Sequence, residues 1–353
     1  MAYEITLSGD FPGGGRKIGE GHPCFIAAEI GANHNRSIAL ARELIDAAAD
    51  CGADAAKFQI YTADALYSRR TPAHSGYTKN LHTLISEIET PREWIEELAV
   101  HCAKRGLIFF AAPFDKGAAD LLNPCSALFK IASFELVDLP LIAYVAAKGK
   151  PMVLSAGLAN MDEVRDALDV CRAAGNEQVL LLQCASLYPA PPDIVNLQAM
   201  KTMREAFGVP TGLSDHTLGT HVSVAAAALG ACMVEKHFTL SRSMEGPDHP
   251  FAMEPADMKR LVEQIRDVEA ALGDGVKRGP SEAESESFRI GRRSVHAARG
   301  ISAGSTITAD MLCTKRPGLG IAPKQIEELI GKTASRDIAA DEWLTWDMLT
   351  DRQ

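Results

Sequence analysis

Two short segments of the chain end on a histidine, GLSDHTLG at 212–219 and VEKHFTL at 234–240. Each has a short apolar lead-in, and His216 and His237 occupy corresponding places in them. Two imidazoles suit a borderline divalent transition-metal ion and leave coordination positions for water and a substrate oxygen. Lys57 and Lys130 form a second pair at the ends of other apolar runs. Two ammonium groups there can neutralise the phosphate and carboxylate of one substrate. The rival reading is a single Schiff-base lysine, as in a barrel aldolase. Further polar residues close the apolar runs: Glu29, Gln59, Asp115, Ser133, Glu135, Ser155, Ser186, Tyr188, Ser214, Asp215, Glu235 and Lys236. A buried charge costs several kcal/mol unless it is paired. Charges at the same end of nearly every run therefore point to a shared polar ligand.

The elements that must position these residues are visible as periodicity. Eight short apolar runs, at 24–31, 53–60, 107–114, 127–133, 151–157, 179–186, 209–215 and 232–238, alternate with amphipathic segments. One such segment, SIALARELIDAAADCG at 37–52, repeats apolar residues at helical spacing and ends on glycine. TPREWIEELAVHCAKRG at 90–106 opens with Thr90, Pro91 and Glu93, the pattern of a capped helix start. MDEVRDALDVCRAAG at 161–175 is a third. Eight strands alternating with helices predict an α/β fold with a parallel sheet, closed as a (β/α)8 TIM barrel over residues 1–280. A doubly wound sheet is the alternative, but no GxGxxG follows the first strand. PGGGRKIG at 12–19 precedes that strand and reads as a loop or capping hairpin rather than a phosphate cradle. In a barrel the active site lies at the C-terminal strand ends, and adjacent strands seven and eight bring His216 and His237 together.

A polar stretch rich in Gly, Ser and Glu follows, with 281–291 read as a linker and 292–353 as a small second domain. That domain contains a weak repeat, ISAGSTITADML and IAADEWLTWDML, which suggests a pseudo-symmetric module.

Composition narrows the function classes. The 353-residue chain is 46% hydrophobic and 23% charged, with a net charge of −10. The charge argues against nucleic acid or an anionic membrane as the main partner, though not against a small anion in a locally basic pocket. The N-terminal stretch lacks the apolar core of a signal peptide, and no run reaches the length of a membrane span. Eight cysteines without a CxxC pair are expected to be reduced core thiols in a cytoplasmic protein.

The phrases AAEIGANHN, GADAAKFQ, PFD, FKIAS, LLLQCASLYPAPPDIVNLQAM, GLSDHTLG, EKHFTL, EGPDH, TKRPGLGI and LTWDML occur in order along the chain. In these the sequence resembles the sialic acid synthase family, the phosphoenolpyruvate-dependent nonulosonate synthases, over essentially its full length. The resemblance implies a barrel joined to a C-terminal antifreeze-like (SAF) domain. It implies condensation of phosphoenolpyruvate with an open-chain N-acetylated amino sugar, N-acetylmannosamine or a diacetamido hexose. The products are a nine-carbon 2-keto sugar acid and phosphate. It further implies a divalent metal, Mn2+ foremost with Mg2+ or Co2+ as alternatives, held by His216 and His237 to polarise the sugar aldehyde. Lys57, Lys130, Ser133, Ser186 and Ser214 fall where the family binds phosphoenolpyruvate. Tyr188 and Lys236 are added as substrate contacts beside them. Glu29 is the candidate for handling the water that attacks carbon 2. Gln59, Glu135, Glu235 and Asp248 match positions around metal-bound water and the acceptor hydroxyls, with Glu135 and Glu235 counted with Glu29 as catalytic candidates. Arg316 matches an arginine that the antifreeze-like domain of the other subunit contributes in a domain-swapped homodimer.

Three positions depart from the family pattern. Ala112 lacks a hydroxyl found there in relatives, Ser186 replaces an asparagine, and Arg36 stands where glycine is common. The first two bear on the phosphate contacts, whereas KFQIYTADAL and SRSMEGPDHPF, which resemble the pseudaminate branch, and EGPDH, typical of the N-acetylneuraminate and legionaminate branches, leave the acceptor sugar open among the three. A barrel aldolase using free pyruvate and a non-enzymatic binding protein remain the readings from other classes.

Overall fold

The computed structural model describes residues 3–7, 9, 14–72 and 80–351. Contacts divide the chain into two compact units, Met1–Gly273 and Asp274–Gln353. The first opens with an antiparallel hairpin, β1 (Glu4–Thr6) and β2 (Lys17–Gly19). The hairpin was one of the two readings of the segment at 12–19, of which Pro12 and Gly13 lie outside the described residues. Eight parallel strands follow: β3 (Phe25–Gly31), β4 (Ala55–Ile60), β5 (Ile108–Pro113), β6 (Phe129–Ile131), β7 (Met152–Ser155), β8 (Val179–Cys184), β9 (Thr211–Asp215) and β10 (Met233–His237). They close into a barrel in which β10 pairs with both β9 and β3. Each expected run contains one of them.

Both faces of these strands are buried, so they are apolar almost throughout. Side chains alternate between two cores. The outer core joins Ile26, Ala28, Phe58, Leu154 and Val234 to the helices. The inner core stacks Phe25, Ile108, Phe110, Leu128, Leu180 and Met233 inside the barrel, and Ile5, Leu7 and Ile18 of the hairpin segment close its lower end. Continuing the inward phase upward gives Glu29, Lys57, Gln59, Lys130, Ser155, Cys184, Ser214, His216, Glu235 and His237. One periodicity thus specifies a greasy lower barrel and a polar upper one.

The helices are α1 (Ile38–Asp50), α2 (Ala63–Leu66), α3 (Leu81–Ile88), α4 (Ile95–Lys104), α5 (Lys116–Leu122), α6 (Leu139–Ala146), α7 (Met161–Ala173), α8 (Gln198–Phe207), α9 (His221–Ala228) and α10 (Pro255–Leu272). Ser37 caps α1, whose Ala41, Leu44, Ile45 and Ala48 face the sheet. Asn160 and Glu163 form a capping box on α7. The cap expected at Thr90 is not made. Its hydroxyl is bonded to buried His34 Nε2 at 2.8 Å, and Arg92–Trp94 form a 3-10 turn before α4 begins. Among the described residues no helix is long and apolar enough to cross a membrane.

In the second unit, 281–291 is not extended chain. Ser281 and Glu284 form a capping box on a 3-10 turn that leads into α11 (Ser285–Gly291). The rest carries two antiparallel pairs, β11 (Ser294–Ala297) with β12 (Leu312–Lys315), and β13 (Thr333–Ala334) with β14 (Leu349–Thr350). A short α12 (Ile326–Leu329) lies between them in sequence. The sequence repeat is structural: Ile301 and Ile338 exchange backbone hydrogen bonds at 2.9 and 2.8 Å. Gly304 and Asp341, at equivalent repeat positions, both adopt positive φ. Each copy then makes a 3-10 turn before its strand.

Gly212 permits the close approach of β9 and β10 on which the histidine pair depends. A Cβ there would lie 2.2 Å from the Met233 carbonyl oxygen and 2.8 Å from Leu182 Cδ2. We predict that Gly212→Ala destabilises the chain by about 3 kcal/mol or more, because backbone must move. Urea unfolding measures this, and an unchanged midpoint would show that the strands have slack.

Candidate active site

The strand register sets the polar end of the barrel level. His237 on β10 is partnered with Glu29 on β3, Glu29 with Lys57 on β4, and Glu235 with Ser214 on β9. Four charged side chains meet there and all are buried. Lys57 Nζ lies 2.7 Å from Glu29 Oε2 and 3.1 Å from Glu235 Oε1. Lys130 Nζ lies 3.3 Å from the same Glu235 oxygen, and Ser214 Oγ lies 3.4 Å from it. Gln59 Nε2 donates to Glu29 Oε1 at 2.6 Å.

The environment drives the four groups apart. Burial raises the Glu29 pKa above the usual carboxylate value, against the pull of Lys57. Burial alone would raise Glu235 too, but Lys130 and Lys57 overcome it and hold that carboxyl well below its ordinary value. Lys57 is raised because Glu235 and Glu29 outweigh its burial, whereas burial lowers Lys130. Two carboxylates and two lysines of divergent proton affinity in one cavity are the arrangement acid–base chemistry requires.

A small cradle lies beside this cluster. Gly157 N–H donates to Ser133 Oγ at 3.1 Å. A Cβ on Gly157 would come within 2.4 Å of Ser186 Oγ and 2.7 Å of Ser133 Oγ. Ser155 Oγ, Glu235 Oε2, Glu135 Oε2 and His237 Nδ1 are buried with no hydrogen-bond partner. Orphaned polar atoms are rare in a folded interior, and four at one end of a barrel mark a polar ligand site.

The histidines form the other side. The rings of His216 and His237 are 5.5 Å apart between centroids. His216 Nδ1 donates to the Ala185 carbonyl at 2.8 Å, which leaves Nε2 with a free lone pair. Burial, then the His216 charge, pushes His237 well below the ordinary imidazole pKa, so it is neutral. Asp248 Oδ2 is 3.7 Å from His237 Nδ1. Burial and the charge of Glu29 raise the Asp248 carboxyl to about 6. The Tyr188 ring lies 4.2 Å from that of His216 at a tilt of 37°, and Phe251 packs edge-on to His237 at 5.1 Å. Burial lowers the His216 proton affinity, but Cys184 outweighs it and raises that affinity, so His216 must give up a proton before two imidazoles, one with an unpartnered nitrogen, can hold a divalent ion with open positions. Among the described residues no group of three His, Cys, Asp or Glu side chains completes a closed metal cage.

Most of the expected barrel residues converge, but Lys236, Asp215 and Asp115 do not. Lys236 is corrected: it points out of the barrel, away from Lys57 and Lys130. Its Nζ donates to Asp215 Oδ2 at 2.8 Å and to the Thr217 carbonyl at 2.6 Å. Period-two alternation requires this, since Glu235 and His237 on either side face inward. Arg316 is exposed at the end of β12 in the second unit. Asp115, also noted as a strand-end polar residue, caps α5 and pairs with Arg92 instead. Gly157 and Cys184 were missed. Cys184 was read as a core thiol, yet its inward phase after Leu180 and Leu182 was available, and its sulfur lies 3.8 Å from Ser186 Oγ.

Glu135 supplies a test of the site's electrostatics. Burial raises its pKa from 4.5 to about 7. A carboxyl raised in the folded state favours folding below its unfolded pKa, and that contribution is lost as pH rises through the folded value. We expect Glu135→Gln to match the parent in stability near pH 4.5 and to exceed it by about 2 kcal/mol at pH 8. Urea unfolding at the two pH values measures this, and equal stability at pH 8 would place Glu135 in water.

Comparison with known proteins agrees with this architecture. The NeuB family matches residues 44–277, and the SAF domain matches residues 292–350. The N,N'-diacetyllegionaminic acid synthase of Campylobacter jejuni is 40% identical over 90% of this chain and 97% of its own. The pseudaminic acid synthase of Helicobacter pylori is 38% identical over 92% of this chain and 97% of its own. The crystal structure of an N-acetylneuraminic acid synthetase from Leptospira borgpetersenii, in complex with citrate, superposes with a TM-score of 0.71. It is 33% identical and covers 82% of this chain and 96% of its own. With a TIM-type barrel, a C-terminal SAF domain and this level of identity, the chain belongs to the NeuB family.

Proposed function

We propose that the chain is a nonulosonate synthase that joins phosphoenolpyruvate to an N-acetylated amino sugar. The observation that carries this reading is the meeting of Lys57 and Lys130 with the Ser133–Gly157–Ser186 cradle, at the barrel end that also holds His216 and His237. Phosphoenolpyruvate carries two anionic groups, and two buried ammonium groups at the barrel end that also carries the Ser133 and Ser186 hydroxyls suit them. The names of the relatives, legionaminic, pseudaminic and sialic acid synthases, support the same chemistry. Carbon 3 of the enol attacks the aldehyde carbon and forms the new C–C bond. Water adds to carbon 2, the bond from carbon 2 to the phosphate oxygen breaks, and phosphate leaves.

The residues divide the work. Lys57, Lys130, Ser133, Ser186 and Ser214 bind the anionic groups. Glu29, whose affinity for a proton is raised, takes the proton of the attacking water. Glu235 fixes both lysines. Gln59, Glu135 and Asp248 face the acceptor hydroxyls, and Tyr188 covers the histidines. A divalent ion on His216 and His237, Mn2+ first and Mg2+ or Co2+ next, would polarise the aldehyde oxygen. The acceptor is N-acetylmannosamine or a diacetamido hexose. The eight unpaired thiols suit the reducing cytoplasm.

A homodimer with exchanged C-terminal units completes this proposal. Phe134, Leu158, Leu187 and Leu218 are 57, 72, 54 and 53% exposed on the loops after β6, β7, β8 and β9. Such an apolar rim round the mouth suits cover by a second copy, which would also bring its Arg316 to the acceptor. The lowered pKa of Lys130 gives the Schiff-base aldolase its one supporting observation.

Phosphate release from phosphoenolpyruvate, assayed against N-acetylmannosamine and the 2,4-diacetamido hexoses, tests the reaction. Release should need one of these sugars, stop on chelation, return with Mn2+, and fall at least about 100-fold in His216→Ala. Turnover of free pyruvate without phosphate release, with borohydride trapping an adduct on Lys130, would establish the aldolase instead. The exchanged dimer has its own test. After subunit exchange, Arg316→Ala mixed equally with His237→Ala should recover about a quarter of parent activity, because half the dimers carry one intact site. No recovery would remove Arg316 from the partner's site.

A further inference from the structure

Among the described barrel strands, only two outward-facing residues are ionisable, Asp215 on β9 and Lys236 on β10. They are register partners, and their side chains are 0 and 3% exposed. An apolar pair of similar volume would hold the wall at least as well, since a buried ion pair gives up its hydration. Neither side chain reaches the barrel interior. What they grip is the backbone of Thr217, immediately after His216. Lys236 Nζ bridges Asp215 Oδ2 and the Thr217 carbonyl, at 2.8 and 2.6 Å. Asp215 Oδ1 accepts the Thr217 N–H at 2.8 Å, and Ser223 on α9 donates to Asp215 Oδ2 at 2.5 Å. His216 sits at the point where the chain leaves β9, and strand pairing no longer constrains the backbone there.

We propose that Lys236 and Asp215 are positioning residues that set the backbone around His216 and so aim its Nε2 at the ligand it shares with His237. The imidazole is then fixed at two points, through its backbone from outside the barrel and through Nδ1 by the Ala185 carbonyl. Ligand atoms must be held within about 0.5 Å, and outer partners of metal ligands supply that precision. The inference rests on reading His216 as a metal ligand.

The test is a Mn2+ titration of the full-length protein, followed by the paramagnetic signal of the free ion. It uses the parent, His216→Ala, the double variant Asp215→Leu with Lys236→Met, and Ser223→Ala, with thermal midpoints taken for each. The double variant replaces the ion pair by an apolar one and should keep the parent's midpoint within a few degrees. It should bind Mn2+ about 10- to 100-fold more weakly. Parental Mn2+ affinity at parental stability would overturn the clamp, as would a raised KM for phosphoenolpyruvate with Mn2+ affinity unchanged. If the double variant does not fold, Ser223→Ala decides: a few-fold loss of Mn2+ affinity supports the clamp and no loss overturns it. Parental affinity in His216→Ala overturns the metal reading itself and the clamp with it. Failure of the clamp alone leaves His216→Ala defective.

Discussion

Closing the barrel forces Glu29, Lys57, Lys130 and Glu235 into one buried cavity. None of the four can be present without the others. Removing a single partner leaves an uncompensated charge away from water, at a cost of about 3–5 kcal/mol. Lys57 is shared between Glu29 and Glu235, and Glu235 between Lys57 and Lys130. The set is therefore a chain of alternating charge with no net sign when all four are ionised. That balance lets the interior exist without ligand. Under the proposed function it also prepares the cavity for an anion, because each lysine is already desolvated and need only exchange a carboxylate for an incoming oxygen. The second oxygen of Glu235 has no hydrogen-bond partner, so the balance is electrostatic rather than fully hydrogen-bonded.

The lower barrel makes this arrangement tolerable. Phe25, Ile108, Phe110, Leu128, Leu180 and Met233 fill the interior beneath the charges, and the hairpin residues Ile5, Leu7 and Ile18 close it off. Buried apolar side chains contribute roughly 2 kcal/mol each. They offset the cost of the polar upper layers and exclude water from below, which keeps the local dielectric low and the pKa shifts large. The apolar floor and the polar layer follow one another on the inward face of the same strands and cannot be separated.

The barrel was legible because buried parallel strands must be apolar and their ends need not be. Each run yielded one strand, and the polar ends gave Glu29, Lys57, Lys130, Glu235, His216 and His237 as one site. What escaped was phase. Strand ends taken as a set do not distinguish faces, whereas period-two phase turns Lys236 outward between Glu235 and His237 and carries Cys184 inward after Leu180 and Leu182. Thr90 was misread for a different reason. Its local signal is a good helix start, but a long-range bond to His34 used the hydroxyl. Gly157 could not be found from pattern, since its importance lies in two hydroxyls brought to it from β6 and β8 loops. The repeat in the second unit was visible as two similar phrases, and Ile301 and Ile338 show that they pair with each other.

The same pleat that misled the reading of Lys236 shows how such a strand carries two tasks. On β10, Glu235 and His237 turn toward the cavity while Lys236, between them, turns to the helices. On β9, Ser214 turns inward and Asp215 outward, immediately before His216. A reactive group at a strand end needs orientation more than binding energy, because the strand's own hydrogen bonds stop there. The outward neighbour is the nearest residue that can supply it, since it shares the backbone yet stays out of the cavity. An ion pair does this better than an apolar contact, for hydrogen bonds have direction and dispersion has almost none. Charge buried on the outside of a barrel wall, otherwise hard to justify on stability alone, then follows from the accuracy required on the inside.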